Sequence, residues 1–125
     1  MARKNTPDVK FVQSRKNPKV LILRASGYFC CHESYICGGE CLEKLSKALT
    51  SDRKNLVLNL AGITVLDAIG VGVLVTFIGK CLESGIKLVL CTAKPYVKDK
   101  LRQTKLIYFV SYYGTEEEAL KSFDK

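Results

Sequence analysis

Apolar and polar positions alternate over residues 9–13 (VKFVQ), which predicts a short edge strand. Asn17-Pro18 marks a turn, and the apolar run 20–23 (VLIL) predicts a strand closed by Gly27. Residues 28–39 carry no period and end on two glycines, as expected of a loop. From Glu40, the positions Cys41, Leu42, Leu45, Ala48 and Leu49 recur at helical spacing, with Glu43, Lys44 and Lys47 between them. Residues 50–54 are polar, and 56–58 (LVL) predict a short buried strand. Residues 69–84 read as a helix, apolar nearly all round in its first turns, which predicts a deeply buried start. Gly85 stands where a C-terminal cap belongs. A strand is expected at 87–91, a short helix at 98–103, a last strand at 107–110 and a terminal helix at 116–123. The first turn of that terminal helix holds Glu116, Glu117 and Glu118, where acids favour the helix dipole.

After an initial hairpin, strands and helices alternate. That order predicts an α/β fold: a single domain with a mixed, mainly parallel sheet of about five strands, an antiparallel edge strand and about four helices. Residues 1–8 are expected to form a flexible N-terminus and 9–125 the domain.

Composition narrows the function classes. With 125 residues, 47% hydrophobic and 26% charged, the chain has the makeup of one globular domain. The run from Ala68 to Ile78 is interrupted by Gly70, Gly72 and Thr76 and is too short to span a bilayer. The opening MARKNTPD lacks the apolar core of a secretion signal, so a cytoplasmic location is expected. The net charge of +8 is carried by Lys and Arg scattered toward both ends, with no aromatic-basic module among them. It reads as a solvated basic surface suited to an acidic protein partner, with no direct contact to nucleic acid or membrane.

One short segment concentrates the functional signal. In TVLDAIGVGVL (64–74) a strand end runs into a helix entrance. Asp67 is placed to cap the helix, while Gly70 and Gly72 strip the first turn of side chains. By itself D-x-x-G-x-G describes a capped helix with small packing residues. The same features also suit a binding face, and the helix N-terminus favours an anion there.

The wider context carries a resemblance. LILRASGYF, the amphipathic helix after it, KNLVLNLAGITVLDAIGVGVLV, SGIKLVLCTAKPYVKDKLRQTKLIYFV and TEEEAL together resemble the STAS domain of bacterial anti-sigma factor antagonists, across about residues 9–123. In that family a strand ends in a pattern like L-x-D-L-S-x-V-x-x-x-D-S-S-G-L-G. The first serine after the second aspartate is phosphorylated by an anti-sigma kinase. The unmodified form binds that kinase and frees the sigma factor, and phosphate abolishes binding. Carried over by position, Asp67 matches that aspartate, Gly70 and Gly72 the glycines, and Val71 the apolar residue between them. Ala68 takes the phosphoacceptor position and Ile69 that of the second serine. Asn59 stands where the earlier aspartate usually sits, and Cys30 where an aspartate often follows the second strand. A methyl group accepts no phosphoryl, so the resemblance implies a kept binding face without the covalent switch.

The six cysteines read as reduced thiols in a cytosolic chain. Cys30, Cys31, Cys37 and Cys41, with His32 among them, match no zinc or iron–sulfur spacing, so no metal and no cofactor is expected. Cys81 and Cys91 are expected to fill the core. His32 is read as an exposed loop residue, since neighbours on an extended segment point apart and cannot form a nucleophile–base pair. The chain has no P-loop, nucleophile elbow or dinucleotide fingerprint, so no catalytic residue is assigned and an enzyme is not expected.

The resulting expectation is a non-catalytic regulatory module that binds an anti-sigma factor or a serine-kinase-like protein. The expected contact face comprises Asp67, Ala68, Ile69, Gly70, Val71 and Gly72, joined by Cys30, Cys31 and His32. Alternatives are a stressosome-like or transporter-associated STAS subunit, and a ligand or thiol-redox sensor built on the cysteine loop. Homodimerisation stays open.

Overall fold

The computed structural model describes residues 8–29, 31–32, 35–36, 38–49 and 55–124, with residues 31–32, 35–36 and 38–41 described by backbone alone. The elements follow in the order β1 (Asp8–Gln13), β2 (Val20–Phe29), β3 (Cys31–His32), β4 (Tyr35–Ile36), α1 (Gly38–Ser46), β5 (Asn55–Leu66), α2 (Ala68–Glu83), β6 (Lys87–Cys91), α3 (Pro95–Gln103), a 3-10 turn (Leu106–Tyr108), β7 (Ser111–Tyr113) and α4 (Glu116–Lys121). Five strands form one sheet in the order β1-β2-β5-β6-β7, with β1 antiparallel to β2 and the others parallel. This is the α/β fold that the alternation of elements predicts.

The strand period divides the core between the two faces of the sheet. Leu21, Leu23 and Ala25 of β2 and Leu56, Leu58 and Leu60 of β5 pack beneath α1, α2 and α3. Val20, Ile22, Val57, Val89 and Cys91 point the other way and meet Ala119 of α4. Central strands buried on both faces explain why VLIL and LVL are apolar without alternation.

Several boundaries differ from the sequence expectations. Gly27 does not close β2. It adopts φ +86° inside the strand, and the pairing with β5 slips on either side of it, so the glycine absorbs a bulge while the strand runs on to Phe29. The expected loop at 28–39 therefore begins as strand, and β3 pairs with β4 through Cys31–Ile36 and His32–Tyr35. α1 starts at Gly38 and ends at Ser46, earlier at both ends than the apolar period suggests. β5 has 12 residues instead of three, because its polar and small positions Asn59, Ala61 and Gly62 hide its length. The expected strand at 107–110 is instead a 3-10 turn entered through Lys105 at φ 64°. Tyr108 and Phe109 are exposed there, and the pairing with β6 falls to Ser111–Tyr113. α4 stops at Lys121, short of the expected 123. α3 begins earlier than expected, with Pro95 in its first turn where a missing N–H costs nothing.

The length of β5 positions the entrance of α2. β6 ends at Cys91 opposite Asn59, so the rest of β5 pairs with β2 only. α3 lies over the vacated side, burying Val97 and Leu101, and the Tyr96 hydroxyl donates to the Leu66 carbonyl at 2.9 Å. The last residues of β5 and the start of α2 are thereby held between β2 and α3.

Candidate helix-entrance site

Asp67 is extended (φ −108°, ψ −172°) and caps α2 as the sequence predicts. Its Oδ1 accepts the Gly70 N–H at 2.9 Å, and its carbonyl accepts the Val71 N–H at 2.9 Å. The Asp67 N–H donates to the Phe29 carbonyl at 3.3 Å, tying the end of β2 to the helix entrance.

The two glycines behave differently. A Cβ on Gly70 would sit 1.8 Å from the Phe29 oxygen and 2.8 Å from Leu66 Cδ1. Only glycine lets the first turn lie against the last residue of β2. A Cβ on Gly72 would meet nothing within 4 Å among the described residues, so that glycine leaves surface open and answers no packing need there. The entrance is accordingly two-sided. Gly70 and Val71 face inward, while Ala68, Ile69 and Gly72 face solvent, Ile69 with 48% of its surface exposed.

This corrects the expectation of a deeply buried helix start: the apolar character of the first turns is shared between a core face and a solvent face. Thr76 is also exposed. Its hydroxyl donates back to the Gly72 carbonyl at 2.9 Å. Thr64 lies on β5, exposed, with its hydroxyl 3.4 Å from the Gly27 carbonyl. Neither threonine stands in the first turn of α2. At the other end Gly85 (φ +71°) closes the helix in a Schellman arrangement, with Ile86 N–H on the Cys81 carbonyl and Gly85 N–H on Leu82.

Cys30 lies outside the described residues, as do the side chains of Cys31, His32 and Cys41 and the whole of Cys37. The backbone of Cys31 and His32 forms β3, two residues beyond Phe29, whose carbonyl holds Asp67. The chain path thus brings this segment to the helix entrance. Cys81 and Cys91 are buried fillers as expected. Burial pushes the Cys81 thiol up to about 11 and raises Cys91 as well, so neither is a thiolate at neutral pH.

A model of the STAS domain matches residues 11–119. The chain belongs to the STAS domain family. Solved structures share its architecture. An anti-sigma factor antagonist from Mycobacterium paratuberculosis superposes with a TM-score of 0.81 at 14% identity, covering 100% of both chains. The phosphorylated form of the Bacillus cell fate determinant SpoIIAA gives 0.62 at 18% identity, covering 90% of this chain and 98% of its own. The STAS domain of a SulP transporter from Vibrio cholerae gives 0.59 at 24% identity, covering 69% and 70%. At these identities the likeness is one of fold.

One polar cluster of this STAS domain escapes a reading of the sequence. Arg24 Nη2 and Nε donate to the two Glu116 oxygens at 2.8 and 3.2 Å, and Asn59 Nδ2 donates to Glu116 Oε2 at 2.7 Å. Asn59 Oδ1 accepts the Ala61 N–H at 2.9 Å. The three residues come from β2, β5 and α4, 92 positions apart at the extremes, and no local pattern links them. The guanidinium beside Glu116 holds its carboxyl below the usual range, aided by Asn59 and opposed by burial. Next to the cluster a groove of about 360 Å³ separates the β1–β2 turn from α4. Arg15 and Lys16 on its rim face Glu116 and Glu117, so its charge is mixed and offers no single-sign anion site. No helix of the described residues is long and apolar enough to cross a membrane.

Proposed function

We propose that this STAS domain is a non-catalytic regulatory interaction module of the anti-sigma factor antagonist kind. Its partner is an anti-sigma factor or a serine-kinase-like protein, met in the cytoplasm through the entrance of α2. The observation that carries this reading is the exposed first turn of α2 capped by Asp67, and the resemblance puts Ala68 of that turn at the family's phosphoacceptor position. Residues 68–72 (AIGVG) offer no hydroxyl, so the face is built for contact without covalent control. The anti-sigma factor antagonists among its structural neighbours agree with this reading.

The test substitutes Ala68→Glu, a fixed charge where the family places phosphate. Folding should tolerate it, because an acid in the first helical turn is favourable by about 0.3–1 kcal/mol. Binding to an anti-sigma kinase encoded beside the gene should weaken by at least about thirtyfold, since a partner matched to a methyl group must desolvate or repel the acid. Calorimetry reads both affinities. Unchanged affinity with an unchanged thermal midpoint would remove the entrance from the interface.

A further inference from the structure

α2 has 16 residues and buries one face: Gly70, Val71, Val73, Leu74, Phe77, Ile78 and Cys81. Its other face is also apolar, yet nothing covers it among the described residues. Ile69 and Val75 are each 48% exposed and Leu82 is 65% exposed. A Cβ built on Gly72 or on Gly79 meets nothing within 4 Å. From Ala68 to Gly79 the helix carries no charge at all. A helix apolar all round is ordinarily enclosed on every side, and among the described residues half of this one is left open.

The arrangement of side chains on the open face says what fits it. Ile69 and Leu82 stand equally far from the point between Val75 and Thr76, and so do Gly72 and Gly79. We propose that this face is self-complementary and that a second copy of the chain packs on it with the two α2 helices antiparallel. In that pairing Gly72 of each helix meets Gly79 of the other, at two places about 10.5 Å apart, where absent side chains let the backbones approach. At 100° per residue, Val75 and Leu82 follow one margin of the face, while Ile69 and Thr76 follow the other. Leu82 therefore lies beside Ile69 of the second copy and not on top of it, and the two fill each other's gaps. A parallel pairing stacks like on like and gains none of these matches.

One helix pair about 24 Å long makes an interface smaller than the usual 800 Å² or so per partner, so the dimer is weak and concentration-dependent. Pairing also covers Ala68, Ile69 and Gly72. If the entrance is the partner-binding face, a consequence that rests on the proposed function, self-association masks it in competition with the partner. Reversible pairing then supplies a control that a chain without a phosphoacceptor otherwise lacks.

Sedimentation equilibrium of the full chain, with dithiothreitol present, tests the pairing without any partner. Between about 5 and 500 µM the mean mass should rise from 13.9 kDa toward twice that value. Val75→Asp and Leu82→Asp should each raise the dissociation constant more than about tenfold, the first midway along the helix and the second near its end. Gly79→Leu should also abolish pairing while leaving the thermal midpoint of dilute protein at or above the wild-type value, since its side chain enters open space and leucine suits a helix better. A folding defect cannot produce that combination. A wild-type monomer at the highest concentration, or a dimer whose constant is unchanged in all three variants, would overturn the proposal. Either result leaves the partner-binding reading standing, because Ala68→Glu tests that separately.

Discussion

Asn59→Asp places an acid beside Glu116 in place of an amide, and it should destabilise the fold. The wild-type amide donates to Glu116 Oε2 at 2.7 Å, a hydrogen bond to a charged group of the class worth about 1.5–3 kcal/mol. The substitution removes that donor and sets two carboxylates against each other. At about 4 Å between charge centres and an effective dielectric near 20, the repulsion is about 4 kcal/mol, softened by Arg24 on the far side of Glu116. Protonating one of the pair is the way out. It costs about 1.4 kcal/mol per pH unit above a normal carboxyl near pH 4, so roughly 4 kcal/mol at pH 7. The net loss at pH 7 should fall between about 2 and 4 kcal/mol.

The pH dependence follows from two opposite shifts. In the variant one carboxyl has a folded-state pKa above its unfolded value, so its stability contribution is present at low pH and lost as pH rises through the folded value. In the wild type the Glu116 pKa is held low, so its contribution is present above the unfolded value and lost as pH falls. Both trends bring the two stability curves together on acidification. Urea unfolding followed by far-ultraviolet circular dichroism should show a gap at pH 7 that shrinks to under about 1 kcal/mol near pH 4. Adding Glu116→Gln to the variant should recover much of the loss, since the new amide can donate to the new acid. A variant as stable as wild type at pH 7, or a gap that ignores pH, would refute this reasoning.

Two further outcomes separate neighbouring residues of the same kind. Gly70→Ala forces a Cβ into the Phe29 carbonyl and should cost more than about 3 kcal/mol or prevent folding, whereas Gly72→Ala should raise stability by about 0.5–1 kcal/mol; thermal melts of the two decide it. Cys81 and Cys91 should react with a thiol reagent at neutral pH only as fast as the chain opens, the rate rising with added urea; immediate modification of either in folded protein would contradict their burial.

The order of elements was legible from the sequence because it rests on local signals. Alternation in VKFVQ, the doubly apolar VLIL and LVL, the Asp67 cap and the Gly85 stop each act within a few residues, and all lie where the sequence predicts them. The helix entrance was likewise legible as a motif, since D-x-x-G-x-G is contiguous. What escaped depends on partners distant in the chain. The length of β5 is set by pairing with β2, and the exposure of Tyr108 and Phe109 by the sheet edge that Ser111–Tyr113 occupies, although their own preference is for strand. Hydrophobicity told that α2 seeks burial but not on which side it would find it, because the core supplies one covering surface and the helix has two apolar faces. The two glycines of the motif are chemically identical in sequence; only the Phe29 carbonyl, arriving from a strand 41 residues earlier, makes Gly70 obligatory and leaves Gly72 open. Arg24, Asn59 and Glu116 likewise become one cluster only when β2, β5 and α4 are stacked. Spacing along the chain carries the local rules, and contact between remote segments decides the rest.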